Sequence, residues 1–178
     1  SEWQRLLQPF GEVLTDSDVL DAAQADLLIE VLAGWMTGVL AAGLFLQLVF
    51  GLLLARWWQA LLYNPGGFRS EFHQLRLPPA MAWLALPVLA LTVIGLSGDW
   101  ELLRYLGVLL VAAYFLQGLA VAHGVAARRG AHPGWLVALY LLLFLAMAHA
   151  VMALAAVGLT DAWFDYRARI KTSGRNQD

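Results

Sequence analysis

The chain has 178 residues, 61% of them hydrophobic and only 13% charged, with a mean hydropathy of +0.66 and a net charge of −2. Soluble domains are about half apolar and about a quarter charged, so a single core cannot hide this apolar content and a bilayer is its natural solvent. The absence of cysteine excludes disulfides, iron–sulfur clusters and thiolate catalysis, and no basic run is long enough for nucleic-acid binding.

In chain order, residues 1–30 carry seven acids (Glu2, Glu12, Asp16, Asp18, Asp21, Asp26, Glu30) against one base, Arg5. The chain opens Ser-Glu-Trp without an initiator methionine or a signal peptide, and so reads as a fragment or a processed chain. Residues 1–14, interrupted by Pro9 and Gly11, suit a short surface helix. Thr15, Asp16 and Ser17 are capable N-caps for an amphipathic lead-in over 16–30, with Leu20, Ala23, Leu27 and Leu28 on one face. Residues 1–26 thus form the expected interfacial segment.

Four apolar segments then meet the roughly 20 residues needed to span a bilayer as helix. They run over 27–55, 79–96, 102–127 and 135–160. Backbone groups in lipid must bond within their own segment, and none of the four alternates with period two, so all are read as helices. The expected fold is an all-α, polytopic transmembrane bundle over 27–160, with a basic, aromatic tail over 161–178. Asn64-Pro65-Gly66-Gly67 marks a turn in the longest loop, "SGDWE" a tight hairpin, and Pro87 a kink inside the second span. With four spans, loops one and three hold five cations (Arg56, Arg69, Arg76, Arg128, Arg129). The opposite side holds six (Arg5, Arg104, Arg167, Arg169, Lys171, Arg175), and the positive-inside rule selects neither orientation.

Small residues recur at four-residue spacing, as in Gly34, Gly38 and Ala42, and again in Gly118 and Ala122. Such ridges let helices approach closely in lipid, within the chain or against a partner protein. Gln47, Gln117 and His149 are polar groups inside the spans, where an ionisable side chain is a functional-site hypothesis. With Tyr114 and Tyr140 they form a candidate ligand-binding set; the alternative is hydrogen-bonded glue between helices. The four histidines show no metal-binding spacing, and no triad, phosphate loop or carboxylate pair at membrane depth is present. The reading is therefore of a non-enzyme with no cofactor, metal, nucleotide or nucleic acid, whose partners are the bilayer and other membrane proteins.

"VGLTDAWFDYRARI" closes the last span. Asp161, Asp165 and Arg169 are spaced by four, so on one continuing helix Asp165 and Arg169 attract. Asp161 and Asp165 repel unless a cation, such as an arginine from another loop, lies between them. Trp163, Phe164 and Tyr166 suit a headgroup belt, and Arg167 a headgroup contact or a docking role.

This stretch resembles the closing signature of the YybS-like bacterial membrane proteins (domain of unknown function 2232), through Gly158, Leu159, Asp161, Phe164, Asp165 and Arg167. "LQGLAVAHG" at 116–124 and "RLP" at 76–78 extend the resemblance over about residues 30–171. It implies a chain similar to the C-terminal half of those proteins, in a bacterial inner membrane. It also implies a distant similarity to the substrate-binding S components of energy-coupling-factor transporters. Ala146 and Ala150 have the Ala-xxx-Ala docking spacing of S components, but in the last span rather than the first. The expected function is a small-solute- or lipid-binding, transport-related subunit; the alternative is a scaffold that docks partners through its Gly/Ala ridges and the 157–171 segment.

Overall fold

The computed structural model describes residues 1–17, 19–94 and 100–170; the "SGDWE" hairpin lies largely outside these, as do Lys171 and Arg175. Among the described residues eight helices form: α1 (Glu2–Asp16), α2 (Ala22–Tyr63), α3 (Gly67–His73), α4 (Pro79–Val93), α5 (Glu101–Arg128), α6 (Gly134–Leu145), α7 (Met147–Phe164) and α8 (Tyr166–Arg169). No strand occurs among the described residues.

Among the described residues three helices, rather than the expected four, are long and apolar enough to cross a membrane: α2, α5 and α7. The 79–96 segment yields only the 15 residues of α4, about 22 Å of helix against about 30 Å of hydrocarbon. Its start is set by Pro78 and Pro79, since proline suits the first helical turn and restricts the residue before it. Pro87 sits inside α4 without ending it. The 135–160 segment is divided at Ala146, whose backbone (φ −131°, ψ 48°) leaves the helical region and separates the 12 residues of α6 from the 18 of α7. Conversely, α2 outruns its expected span at both ends, because "RWWQALLY" continues the helix to Asn64.

The N-terminal boundary also differs from expectation. Asp21, not Thr15, Asp16 or Ser17, caps α2, accepting from the Gln24 N–H while the Gln24 side chain accepts from the Asp21 N–H. Residues 2–16 form one helix that includes Pro9, and α1 folds back along α2. Trp3 Nε1 donates to Thr37 Oγ1 at 2.9 Å, and Gly11 lies against Ile29.

The centre of the bundle is α5. Against it α2 runs in the same sense, with Gly34 beside Arg104 and the Tyr105 Cα 3.2 Å from where a Gly38 β carbon would sit. In α4 the direction is opposite, with Leu77 beside Gln117, Ala85 clustered with Tyr114, and Thr92 against Gly107. Gly118 and Gly158 mark the crossing of α5 and α7. A β carbon on Gly118 would lie 1.9 Å from the Leu154 carbonyl oxygen, and one on Gly158 2.1 Å from that of Tyr114. Only glycine allows this backbone contact, and in lipid such packing is what holds helices together.

Candidate functional site

Two polar regions meet near the C-terminal end of α5. The first is built around Asp161, which is fully buried in the last turn of α7. Its Oδ2 accepts from Arg167 Nη2 at 2.7 Å and from Gln117 Nε2 at 3.4 Å, and lies 3.7 Å from Arg76 Nε. Its Oδ1 accepts from the Tyr166 N–H at 3.1 Å. A buried carboxylate requires this kind of company, since an unpaired charge in low dielectric costs several kcal/mol.

Arg167 and Gln117 also stabilise backbone that is not helical. Between α3 and α4, residues 75–78 have no regular structure. Arg167 Nη1 donates to the carbonyls of His73 (2.8 Å) and Leu75 (3.0 Å), and the Leu77 N–H donates to Gln117 Oε1 at 2.9 Å. Gln117 lies about 16 Å from the Arg128 end of α5 and about 24 Å from its Glu101 end at 1.5 Å per residue. Irregular backbone at such depth is tolerated only when its polar groups are paired inside protein. Gly124 admits this strap, since a β carbon there would lie 3.3 Å from both the His73 carbonyl oxygen and Arg167 Cδ.

Asp165 ends α7 in the left-handed region (φ 42°), where Asp is tolerated better than most residues, and caps α8 through Ala168. The helix therefore does not carry on to pair Asp165 with Arg169. Arg76 instead reaches Asp165 Oδ2 (3.1 Å) and the Asp161 carbonyl (2.8 Å), and so is the cation from another loop that lies between the two aspartates. Burial works to raise the Asp165 carboxyl, but the Ala168 N–H, Arg76 and Arg167 outweigh it and hold it below the usual carboxylate range. Arg169 lies over the Phe164 ring at 5.5 Å. Residues 161–170 are thus a clasp folded onto α5, not a free tail, and Arg128 closes it with a hydrogen bond to the Arg167 carbonyl.

The second region is a groove of about 870 Å³ between α2, α3, α5 and α6. Phe50, Leu53 and Leu54 of α2 and Leu136 of α6 give it apolar walls, while Arg69, His73 and His123 supply its polar groups, and no acid lines it. His123 Nδ1 is 2.9 Å from the Leu119 carbonyl, which can only accept, so this nitrogen carries the proton; in the neutral ring Nε2 then accepts from the Tyr140 hydroxyl at 3.2 Å. The His73 and His123 rings are 6.5 Å apart. Burial, followed by nearby Arg69, His123 and Arg128, pushes the His73 imidazole below its ordinary value.

The five candidate ligand residues do not share a cavity. Gln117 and Tyr114 are buried on α5, Tyr140 lines the groove, and Gln47 and His149 lie exposed on α2 and α7. The Tyr114 hydroxyl is buried with no hydrogen-bond partner among the described residues. Gly34, Gly38, Ala42 and Gly118 lie at helix contacts within the chain, and Ala122 is half-buried on α5. Sequence reasoning counted Arg76 as a loop cation, weighed His73 and His123 only as metal ligands, and placed none of the three in a site. A signal was available for Arg76 in the unpaired Asp161–Asp165 repulsion, but none for the two histidines, which are 50 positions apart.

No curated protein and no solved structure matches the chain. The model of one family, described as "Predicted membrane protein (DUF2232)", matches residues 18–162. That match takes in the whole of α2 to α6 and all but the last two residues of α7, and the chain belongs to this family of predicted membrane proteins.

Proposed function

We propose that the chain is a ligand-binding subunit of a bacterial inner membrane, taking a small amphipathic solute or lipid in the groove between α2, α3, α5 and α6. The observation that supports this is the contrast inside the groove itself. Its walls are apolar, yet Arg69, His73, His123 and Tyr140 converge at one end, which is the usual composition of a small-molecule site. A volume of about 870 Å³ also falls in the range of such sites. The irregular strap over 75–78 beside the groove fits a transport-related role, since interrupted helices at membrane depth often flank transporter sites. Energy for transport would come from a partner protein.

The cation-rich end faces the cytoplasm in this reading. Because α8 folds onto the Arg128 end of α5, that end collects Arg56, Arg69, Arg76, Arg128, Arg129, Arg167 and Arg169, leaving Arg5 and Arg104 at the other. The four-span count had placed Arg167 and Arg169 opposite and erased this bias. Among the described residues, seven against two is the asymmetry that the positive-inside rule uses. The scaffold alternative has less to stand on, because the Gly38 and Gly118 ridges already hold α5 and α7 within the chain.

Native mass spectrometry of gently extracted protein tests the binding role. A discrete ligand or lipid should survive on the native chain and be lost from Ala127→Trp, which fills the groove. Equal retention by both would sink the assignment. A co-purifying ATPase would support transport. Because the chain has no cysteine, Ser70→Cys and Glu12→Cys give clean labels for sidedness. With an impermeant maleimide on intact cells, Glu12→Cys should label and Ser70→Cys should not.

A further inference from the structure

Resting on the groove as the binding site, we infer that its occupant is an anionic phospholipid of the surrounding bilayer, its phosphate held by Arg69 and His73 and its acyl chain laid between α2 and α6. The charge of the groove suits an acidic headgroup. Arg69, His73 and His123 line the groove without a carboxylate among the lining residues, and the nearest acid on α3, Glu71, is engaged by Arg56. A cationic or zwitterionic headgroup would find no anion to meet its ammonium there.

The cationic donors divide between the clasp and the groove. Asp161 takes the guanidinium of Arg167, Asp165 shares Arg76, and Arg128 is used on the Arg167 carbonyl. Arg69 has no such partner among the described residues and lines the groove. A guanidinium offers five donors in a fork that suits phosphate oxygens. His73 adds a ring N–H from the same short helix, one turn along.

The groove is also continuous with the apolar outer face of α2. Phe50, Leu54, Trp57 and Leu61 border the groove and are all also exposed on the outside of α2. An acyl chain can therefore enter sideways from lipid, whereas a water-soluble solute would have to cross an apolar rim. The groove's polar end also lies at the cation-rich face, where anionic lipids concentrate.

The probes are phosphatidylglycerol and phosphatidylcholine of identical chains, added to delipidated protein and read by native mass spectrometry. Phosphatidylglycerol should be retained about fivefold or more over phosphatidylcholine, the scale of one cation near a headgroup. Arg69→Gln, at an exposed position, should lower phosphatidylglycerol binding more than phosphatidylcholine binding and bring the ratio to near one. Ala127→Trp should remove both lipids. Equal retention of the two by the native chain overturns the acidic-headgroup inference and leaves the groove standing as a site. Retention that Ala127→Trp does not change overturns the groove as well. Displacement of phosphatidylglycerol by millimolar inorganic phosphate alone overturns the lipid assignment in favour of a soluble anion.

Discussion

The clasp around Asp161 and the groove beside it lie one residue apart at His73, whose carbonyl belongs to one and whose ring belongs to the other. They differ in how their polar groups are satisfied. In the clasp, the carboxylate, guanidinium, amide and irregular backbone meet one another. In the groove, cationic and imidazole groups face open space without a counter-charge. A closed network in low dielectric holds a fold in place, while an open one of a single sign is suited to recognition. Sequence reading put Gln117 and Tyr140 in one candidate ligand set, and the geometry separates them, Gln117 into the clasp and Tyr140 into the groove.

Breaking the clasp should cost most. Asp161→Ala leaves the Arg167 guanidinium buried without its carboxylate, and a loss of about 3–5 kcal/mol is expected, read as a collapse of the thermal transition in detergent. Adding Arg167→Met in the same chain should return part of it, because the stranded charge is then gone; no recovery would show that the carbonyls of His73 and Leu75 need the guanidinium as much as Asp161 does. Gly118→Val tests the helix crossing that carries the clasp. A side chain there meets the Leu154 carbonyl, and an overpacking cost of about 1–3 kcal/mol should follow. Should Gly118→Val melt like the native chain, α5 and α7 are not in backbone contact.

Tyr114→Phe should act in the opposite direction. Removing a buried hydroxyl that has no partner relieves a desolvation cost of about 1–3 kcal/mol, so the melting temperature should rise. A fall would mean that the hydroxyl is partnered in the membrane, and would return Tyr114 to the candidate ligand set.

The smallest effect is on the groove side. The His73 pKa is lowered in the folded chain, so the unfolded state binds its proton first as pH falls. Stability should be unaffected above the ordinary histidine range and decline as pH drops through it towards the lowered value. The facing groups are Arg69 on α3, His123 and Arg128 on α5, with Glu71 nearby but paired to Arg56. In His73→Gln this part of the acid sensitivity should vanish from a melting series between pH 7.5 and 5 (a range about one unit either side of a histidine's ordinary value); an unchanged series would assign it elsewhere.

Class and membrane character were legible because they depend on bulk composition, which needs no geometry. The need for a cation between Asp161 and Asp165 was legible too, since it follows from helical spacing alone. That Arg76 meets it was not, because the residues are 85 apart in sequence and brought together by the strap. Helices that are apolar all round carry no directional signal, so nothing distinguished Gln117, which is buried, from Gln47 and His149, which are exposed. The break at Ala146 has no local mark either. Neither proline nor glycine occurs between Trp135 and Val157, so length alone made one span of α6 and α7.

The common direction of α2 and α5, with α7 ending beside them, has an electrical consequence. Each helix presents its carbonyl end, equivalent to about half a negative charge, to the face where the arginines gather. At the other face, the amide end of α2 is met by its capping residue Asp21 and that of α5 by Glu101. Side-chain charge and backbone dipole therefore complement one another at both ends of the bundle. To turn the chain over in the membrane would not disturb that pairing, but to reverse any one long helix would set its dipole against the charges around it. The chain's polarity along the membrane normal is thus a property of the assembled helices, shared between main chain and side chain.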